Sequence, residues 1–187
     1  QAQALRRLLE YLAARDYRFI TPTPRTHARV LDRRDKAPAS PDLRGILGWT
    51  LPFDWSDDPD GVLVELLKQA GVLSEENRVF ASQIRVSSLN GFLFLHSAYP
   101  TNKQNAVFFG PDSYRFASFL RSELPHLAPR KHLVDIGTGT GVGGLVAAQM
   151  LRGTQITLTD INPQALRFAR INAAFAGIAV ETVLTDS

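Results

Sequence analysis

The sequence predicts an α/β chain in two parts. Residues 1–106 form an N-terminal α+β domain of winged-helix-like order, and residues 107–187 carry a βαβαβ unit of parallel sheet. Three observations predict this. From Leu133 onward, short apolar runs alternate with helix patterns. The run Val134-Asp135-Ile136-Gly137-Thr138-Gly139-Thr140-Gly141 ends an apolar strand in glycines just before a small-residue helix. Upstream, amphipathic patterns precede two apolar runs that flank Asn90-Gly91, a strong short hairpin signal.

In chain order, Ala4, Leu5, Leu8, Leu9 and Leu12 recur at helical spacing, so residues 3–15 read as an amphipathic helix. Thr21-Pro22-Thr23-Pro24 breaks it, because proline denies helix to itself and its predecessor. A short helix over 25–31 leads to Arg33-Arg34-Asp35-Lys36, a cluster that suits phosphate or partner contact or a solvated face. Asp42 caps a helix over 43–47. Trp49, Leu51, Phe53 and Trp55 read as core. The acids Asp54, Asp57, Asp58 and Asp60 lack metal-ligand spacing and are explained by capping and the helix dipole. Val62, Leu63, Leu66, Leu67 and Ala70 make a helix that Gly71 ends. Strands follow over 79–89 and 92–99. The helix of this segment carries Glu65 and only Lys68, which favours substrate recruitment or packing over sequence-specific DNA reading.

A helix over 112–124 precedes the third section, with Phe116, Phe119 and Leu120 on one side and Pro125 and Pro129 marking a linker. Strands are expected over 133–136, 155–161 and 178–184. The intervening helices cover 142–152 and 163–176, the second started by Asn162-Pro163 and ended by Gly177. Such strands run parallel and bind ligands at their C-terminal ends, where Asp135, Asp160 and Asp186 lie.

The totals exclude several classes. With no cysteine among 187 residues, disulfides, thiolate metal sites and thiol nucleophiles are absent, which suits a cytoplasmic location. No apolar run approaches the ~20 residues of a membrane span, and the N-terminus lacks a secretory core. The chain begins with Gln1, so a few preceding residues are expected. The net charge of +3 is uneven: residues 1–40 hold nine Lys/Arg against four Asp/Glu, and residues 41–80 hold three against eight. The basic first segment suits RNA or an acidic protein surface, or is a solvated face. His27, His96, His126 and His132 form no metal spacing and read as surface or structural, and Ser113 has no nucleophile context.

Two cofactor classes use this architecture. Gly139, Gly141 and Gly144 satisfy the dinucleotide spacing G-x-G-x-x-G. Asp135, Gly137, Gly139 and Gly141 satisfy acidic-x-G-x-G-x-G, the S-adenosylmethionine pattern. Three carboxylates around one cavity suit a cationic sulfonium better than a pyrophosphate. Asp160 can accept from both ribose hydroxyls, and Asp186 from the adenine amine.

The stretches Asp135–Gly144, Thr159-Asp160-Ile161-Asn162-Pro163-Gln164-Ala165-Leu166 and Ala169-Arg170-Ile171-Asn172-Ala173 closely resemble class I S-adenosylmethionine-dependent methyltransferases of small-domain type. These include the release-factor glutamine and ribosomal RNA N-methyltransferases. The resemblance implies the first half of a Rossmann-like methyltransferase sheet. It implies a cofactor site of Asp135, Gly137, Thr138, Gly139, Thr140, Gly141, Asp160, Ile161, Asn162 and Asp186, walled by Tyr114 and Phe116, with no metal. It further implies a macromolecular methyl acceptor, and the basic first 40 residues tilt that reading from protein glutamine towards RNA.

The same resemblance puts a catalytic Asn/Asp-Pro-Pro-Tyr/Phe tetrapeptide after a fourth strand, and no such sequence occurs here. The chain is therefore expected to be the N-terminal portion of a longer enzyme, inactive alone, with its catalytic residues beyond Ser187. Its first strand is expected to expose an edge that invites self-association. The competing readings are a non-catalytic cofactor-binding module and an NAD-dependent oxidoreductase.

Overall fold

The computed structural model describes residues 1–34, 40–58, 60–128 and 130–186. They form two compact units: residues 1–93 with 97–100, and residues 94–96 with 101–187.

The first unit begins with α1 (Ala2–Ala13), α2 (Pro24–Arg34), α3 (Leu43–Leu47) and α4 (Val62–Ala70). The stripe Leu5, Leu8, Leu9 and Leu12 is fully buried, and α1 packs on α4, whose Leu63, Val64, Leu66 and Leu67 face inward. Val62, expected on that stripe, is instead exposed, because it opens the helix at the turn after Asp60. Helix α2 is longer than its sequence pattern, with Pro24 in its first turn, where no backbone N–H is needed. The basic cluster read from Arg33 to Lys36 runs into residues 35–39, which lie outside the described residues, as does Pro129.

The acidic run does cap helices. Asp42 accepts from the Gly45 N–H at 2.7 Å at the head of α3. Asp54 accepts from the Ser56 N–H at 2.7 Å, and Asp57 answers it from the Asp54 N–H at 2.9 Å. Asp58, buried ahead of α4, accepts from the Leu63 and Val64 N–H groups. Of the four residues read as core around Trp49, Phe53 is buried, Trp49 and Leu51 are half-buried, and Trp55 is exposed, stacking edge-on against Phe80.

Four strands follow: β1 (Leu73–Glu76), β2 (Val79–Ser82), β3 (Ile84–Leu89) and β4 (Phe92–Ser97). The single strand expected over 79–89 is two strands, and β1 was not legible. It pairs antiparallel with β2 through Asn77-Arg78, both in the left-handed region at φ 51° and 67°. That is the backbone of a tight hairpin written without glycine. The Asn90-Gly91 turn, at φ 51° and 83°, joins β3 to β4 as expected.

The second unit holds residues 94–96 of β4, then α5 (Pro111–Glu123), β5 (His132–Ile136), α6 (Val142–Met150), β6 (Gln155–Asp160), α7 (Pro163–Ala176) and β7 (Glu181–Leu184). The sheet order is β5-β6-β7, with both pairs parallel. Register places Leu133, Asp135, Ile156 and Leu158 on one face, where Ile156 and Leu158 are buried with Ala169 of α7. Val134, Ile136 and Val183 share the other face and are exposed, Ile136 by 84%. Among the described residues no strand pairs with the outer edge of β5. The apolar side expected for α5 is not buried: Phe116 and Phe119 are exposed and only Ala117 is enclosed. No described helix is long and apolar enough to cross a membrane.

The histidines are not simply superficial. His27 lies buried on α2, and His96 on β4 stacks on Phe109 at 5.2 Å. Burial and the nearby Arg85 charge hold the His27 pKa below its ordinary 6.5. The unfolded chain therefore binds a proton that the folded chain resists, and the resulting stability is full above about pH 6.5 and is lost as pH falls from there. Thermal melts between pH 8 and pH 5 should show wild-type stability dropping below about pH 6.5, with a shallower drop in H27Q. Parallel profiles would remove His27 as the cause.

Candidate cofactor site

The corner between β5 and α6 is built by glycines with two distinct tasks. Gly137, Gly139 and Gly141 all take positive φ, at 67°, 56° and 88°. A Cβ on Gly137 or Gly139 would meet nothing within 4 Å, so these two form an open cradle. Gly141 would instead press a Cβ to 3.3 Å from Cβ of Ala169 on α7. A Cβ on Gly143 would stand 2.8 Å from both the Asp135 carboxylate and the Phe116 ring, and one on Gly144 would overlap Leu158. These last glycines let α6 settle on the sheet.

A loop of this shape leaves backbone N–H groups without helix partners. Asp135 meets part of that need: its Oδ2 accepts from the Gly144 N–H at 2.8 Å and the Thr138 hydroxyl at 2.6 Å. Asp160, at the end of β6, accepts from the Gly139 N–H at 2.8 Å through Oδ2 and from the Asn162 N–H at 2.9 Å through Oδ1. The Thr138 N–H donates to Thr159 O at 2.9 Å, and the Thr185 N–H to Asp160 O at 3.1 Å. Thr138 and Thr140 are both buried.

The residues expected to form one cavity therefore divide. Gly137, Gly139, Asp160, Ile161 and Asn162 gather at the C-terminal end of β6, with Ile161 63% exposed. Asn162 caps α7 by accepting from the Gln164 N–H at 2.9 Å and donates its Nδ2 to Asn105 O at 3.1 Å. Asp135 is turned towards the head of α6, because two donors there claim its oxygen. Phe116 packs by Gly143, Tyr114 stands edge-on to Phe109 at 5.3 Å, and Asp186 is exposed past β7. Among the described residues no three His, Cys, Asp or Glu side chains group as metal ligands.

Asn172 is the site residue that sequence reasoning passed over. It is 1% exposed on α7 and makes three hydrogen bonds. Its Oδ1 accepts from the Leu95 N–H at 2.9 Å, and its Nδ2 donates to Leu95 O at 3.3 Å and to Thr140 O at 2.9 Å. It ties β4 to the glycine corner. The available hint was one amide among the apolar residues Leu166, Phe168, Ala169, Ile171 and Ala173 of the same helix.

Residues 102–187 match the family model described as methyltransferase small domain. A release factor glutamine methyltransferase of Deinococcus radiodurans is 39% identical over 54 residues, 29% of this chain and 19% of that protein. The chain thus spans about a fifth of the length of the curated relative it matches. A tRNA (uracil-54, C5)-methyltransferase of Pyrococcus abyssi, solved with S-adenosyl-L-homocysteine, is 21% identical with TM-score 0.45, covering 59% of this chain and 25% of that one. A SAM-dependent methyltransferase of Agrobacterium tumefaciens is 23% identical with TM-score 0.45, covering 56% and 33%. Over residues 102–187 the second unit is thus similar to the methyltransferase small domain, and over 54 residues to a release factor glutamine methyltransferase.

Replacing Asn172 with leucine keeps the branching of the side chain, adds some bulk and strands three buried backbone groups. Urea denaturation of N172L should show a loss of about 1–3 kcal/mol or more. A loss below about 0.5 kcal/mol would mean that water replaces the amide.

Proposed function

We propose that residues 107–187 bind S-adenosylmethionine and belong to an N-methyltransferase acting on a macromolecule. One observation carries this reading: Gly137 and Gly139 face open space beside Asp160, at the C-terminal end of a parallel strand. A ligand can approach the backbone there as closely as no side chain would allow. Each Asp160 oxygen accepts one N–H and retains a lone pair, so the carboxylate can take two ribose hydroxyls while it holds the loop. Ile161 offers an exposed apolar face to a base, and Asp186 an acceptor for its amine. Tyr114 and Phe116 wall the methionine side. Asp135 acts through the loop, fixing Thr138 and the head of α6. The cofactor supplies an electrophilic methyl group.

The Asn-Pro-Pro-Tyr type of motif, absent from these 187 residues, would position the acceptor nitrogen. This chain alone therefore has no turnover. Residues 1–106, winged-helix-like in element order, recruit the acceptor, and their basic first 40 residues favour RNA over protein. The open edge of β5 leads the isolated chain to self-associate. A cytoplasmic location belongs to the same proposal.

Calorimetry tests the central point. S-adenosylhomocysteine should bind and NAD should not, with D160A weakening the former about tenfold or more. Binding of NAD alone favours an oxidoreductase. Binding of neither ligand to the folded chain sinks the cofactor reading.

A further inference from the structure

Among the described residues of the first unit, three buried polar atoms lack a hydrogen-bond partner: Arg85 Nη2, His27 Nδ1 and Thr50 Oγ1. All three belong to side chains gathered on one short turn, residues 48–50. Arg85, on β3 and 4% exposed, donates its Nε–H to Gly48 O at 2.7 Å. His27, on α2 and 2% exposed, places Nε2 at 2.9 Å from Trp49 O. Thr50 is the next residue, held at φ 61°, a left-handed conformation that costs a β-branched side chain more than any other. Strain of this kind persists where the surroundings impose it and clusters at binding sites.

Aromatic rings wall the cluster. The His27 ring lies flat on Trp49 at 5.6 Å and edge-on to Tyr99 at 4.5 Å. The Arg85 guanidinium stands 5.8 Å from the Phe19 ring and 5.7 Å from the Tyr99 ring. Trp49 and Thr50 are half-buried and Tyr99 is 37% exposed, so the cluster lies just beneath the surface.

The charge is the unusual part. Arg85 makes no ion pair among the described residues, and the ionisable groups near it are His27 and the phenols of Tyr17 and Tyr99, with no carboxylate. Burial alone pulls its pKa down to about 10, still charged at neutral pH. A buried cation without a counter-charge is costly, and a water molecule would satisfy its hydrogen bond without answering its charge. An anion answers both. The hydrogen-bonding set agrees. Arg85 Nη2 and the Thr50 hydroxyl donate. Nε2 of His27 faces a carbonyl oxygen and so carries the ring proton, which leaves Nδ1 to accept one from a P–OH, or to be protonated when a carboxylate is bound.

We propose that Arg85, His27 and Thr50 form a binding site for an oxyanion, a phosphate or carboxylate group, at the residue 48–50 turn. It is independent of the cofactor reading of the second unit. The N-terminal unit thereby has a ligand-recognition function of its own.

NMR of the full chain tests it, following the His27 ring and Arg85 Nε–H signals during titration with inorganic phosphate, acetate, and chloride at matched ionic strength. Saturable shifts with phosphate or acetate but not chloride are expected. Saturation by phosphate alone identifies a P–OH partner. Saturation by acetate with His27 becoming protonated identifies a carboxylate site. The Thr50→Val variant keeps the β-branch and removes the hydroxyl, so it should fold and bind about tenfold more weakly. Arg85→Gln should abolish the shifts. Signals that stay fixed, that drift linearly as with chloride, or that respond equally in T50V overturn the proposal and leave a water-filled core cluster.

Discussion

A glycine corner that turns a strand into a helix presents more backbone N–H groups than it has carbonyls to receive them, and the second unit depends on how that excess is met. Asp135 and Asp160 answer it from the ends of adjacent strands, and Asn172 answers the corner's free carbonyl, Thr140 O, from α7. The three side chains come from β5, β6 and α7, so the loop is fixed only once the sheet is paired and α7 has docked. Hydrogen bonds donated to ionised carboxylates are stronger than neutral ones. A corner held this way stays open at Gly137 and Gly139 without collapsing on itself.

The glycines show how one motif can conceal two functions. Read as letters, four of the five glycines Gly137, Gly139, Gly141, Gly143 and Gly144 satisfy two cofactor patterns between them, Gly143 belonging to neither. In space, two of them face open ground and the others lie against Ala169, Phe116 and Leu158. The packing glycines set the helix on the sheet, and the open ones leave room for a ligand. Only the open glycines bear on the proposed cofactor site.

The first unit treats its acids and its buried cation in opposite ways. Around α3 and α4 every acid of the Asp42–Asp60 run with a described cap meets a backbone N–H, and even the buried Asp58 carboxylate has two. Arg85 has one carbonyl and aromatic faces, and no ion pair among the described residues. The compensated acids explain why the acidic run is structural. The uncompensated cation marks a place where the fold alone is incomplete.

Much of this was legible in the sequence. The apolar spacing of Leu5, Leu8, Leu9 and Leu12, the Asn162-Pro163 start, the Gly71 and Gly177 stops and the Asn90-Gly91 turn each act within a few residues, and local physics sufficed for them. The glycine spacing likewise pointed to a sharp corner between a strand and a helix. Other features needed the tertiary structure. The hairpin of β1 and β2 turns on Asn77-Arg78, whose positive φ is imposed by strand pairing and not by glycine. Asp135 faces α6 instead of a cavity, because Gly144 and Thr138 reach it only after the helix has folded back. Asn172 meets Leu95 across 77 residues, and Arg85 meets Gly48 across 37. Sequence fixes what neighbours along the chain can satisfy for one another, whereas a buried polar group separated from its partner by tens of residues acquires its role only when folding removes water from both.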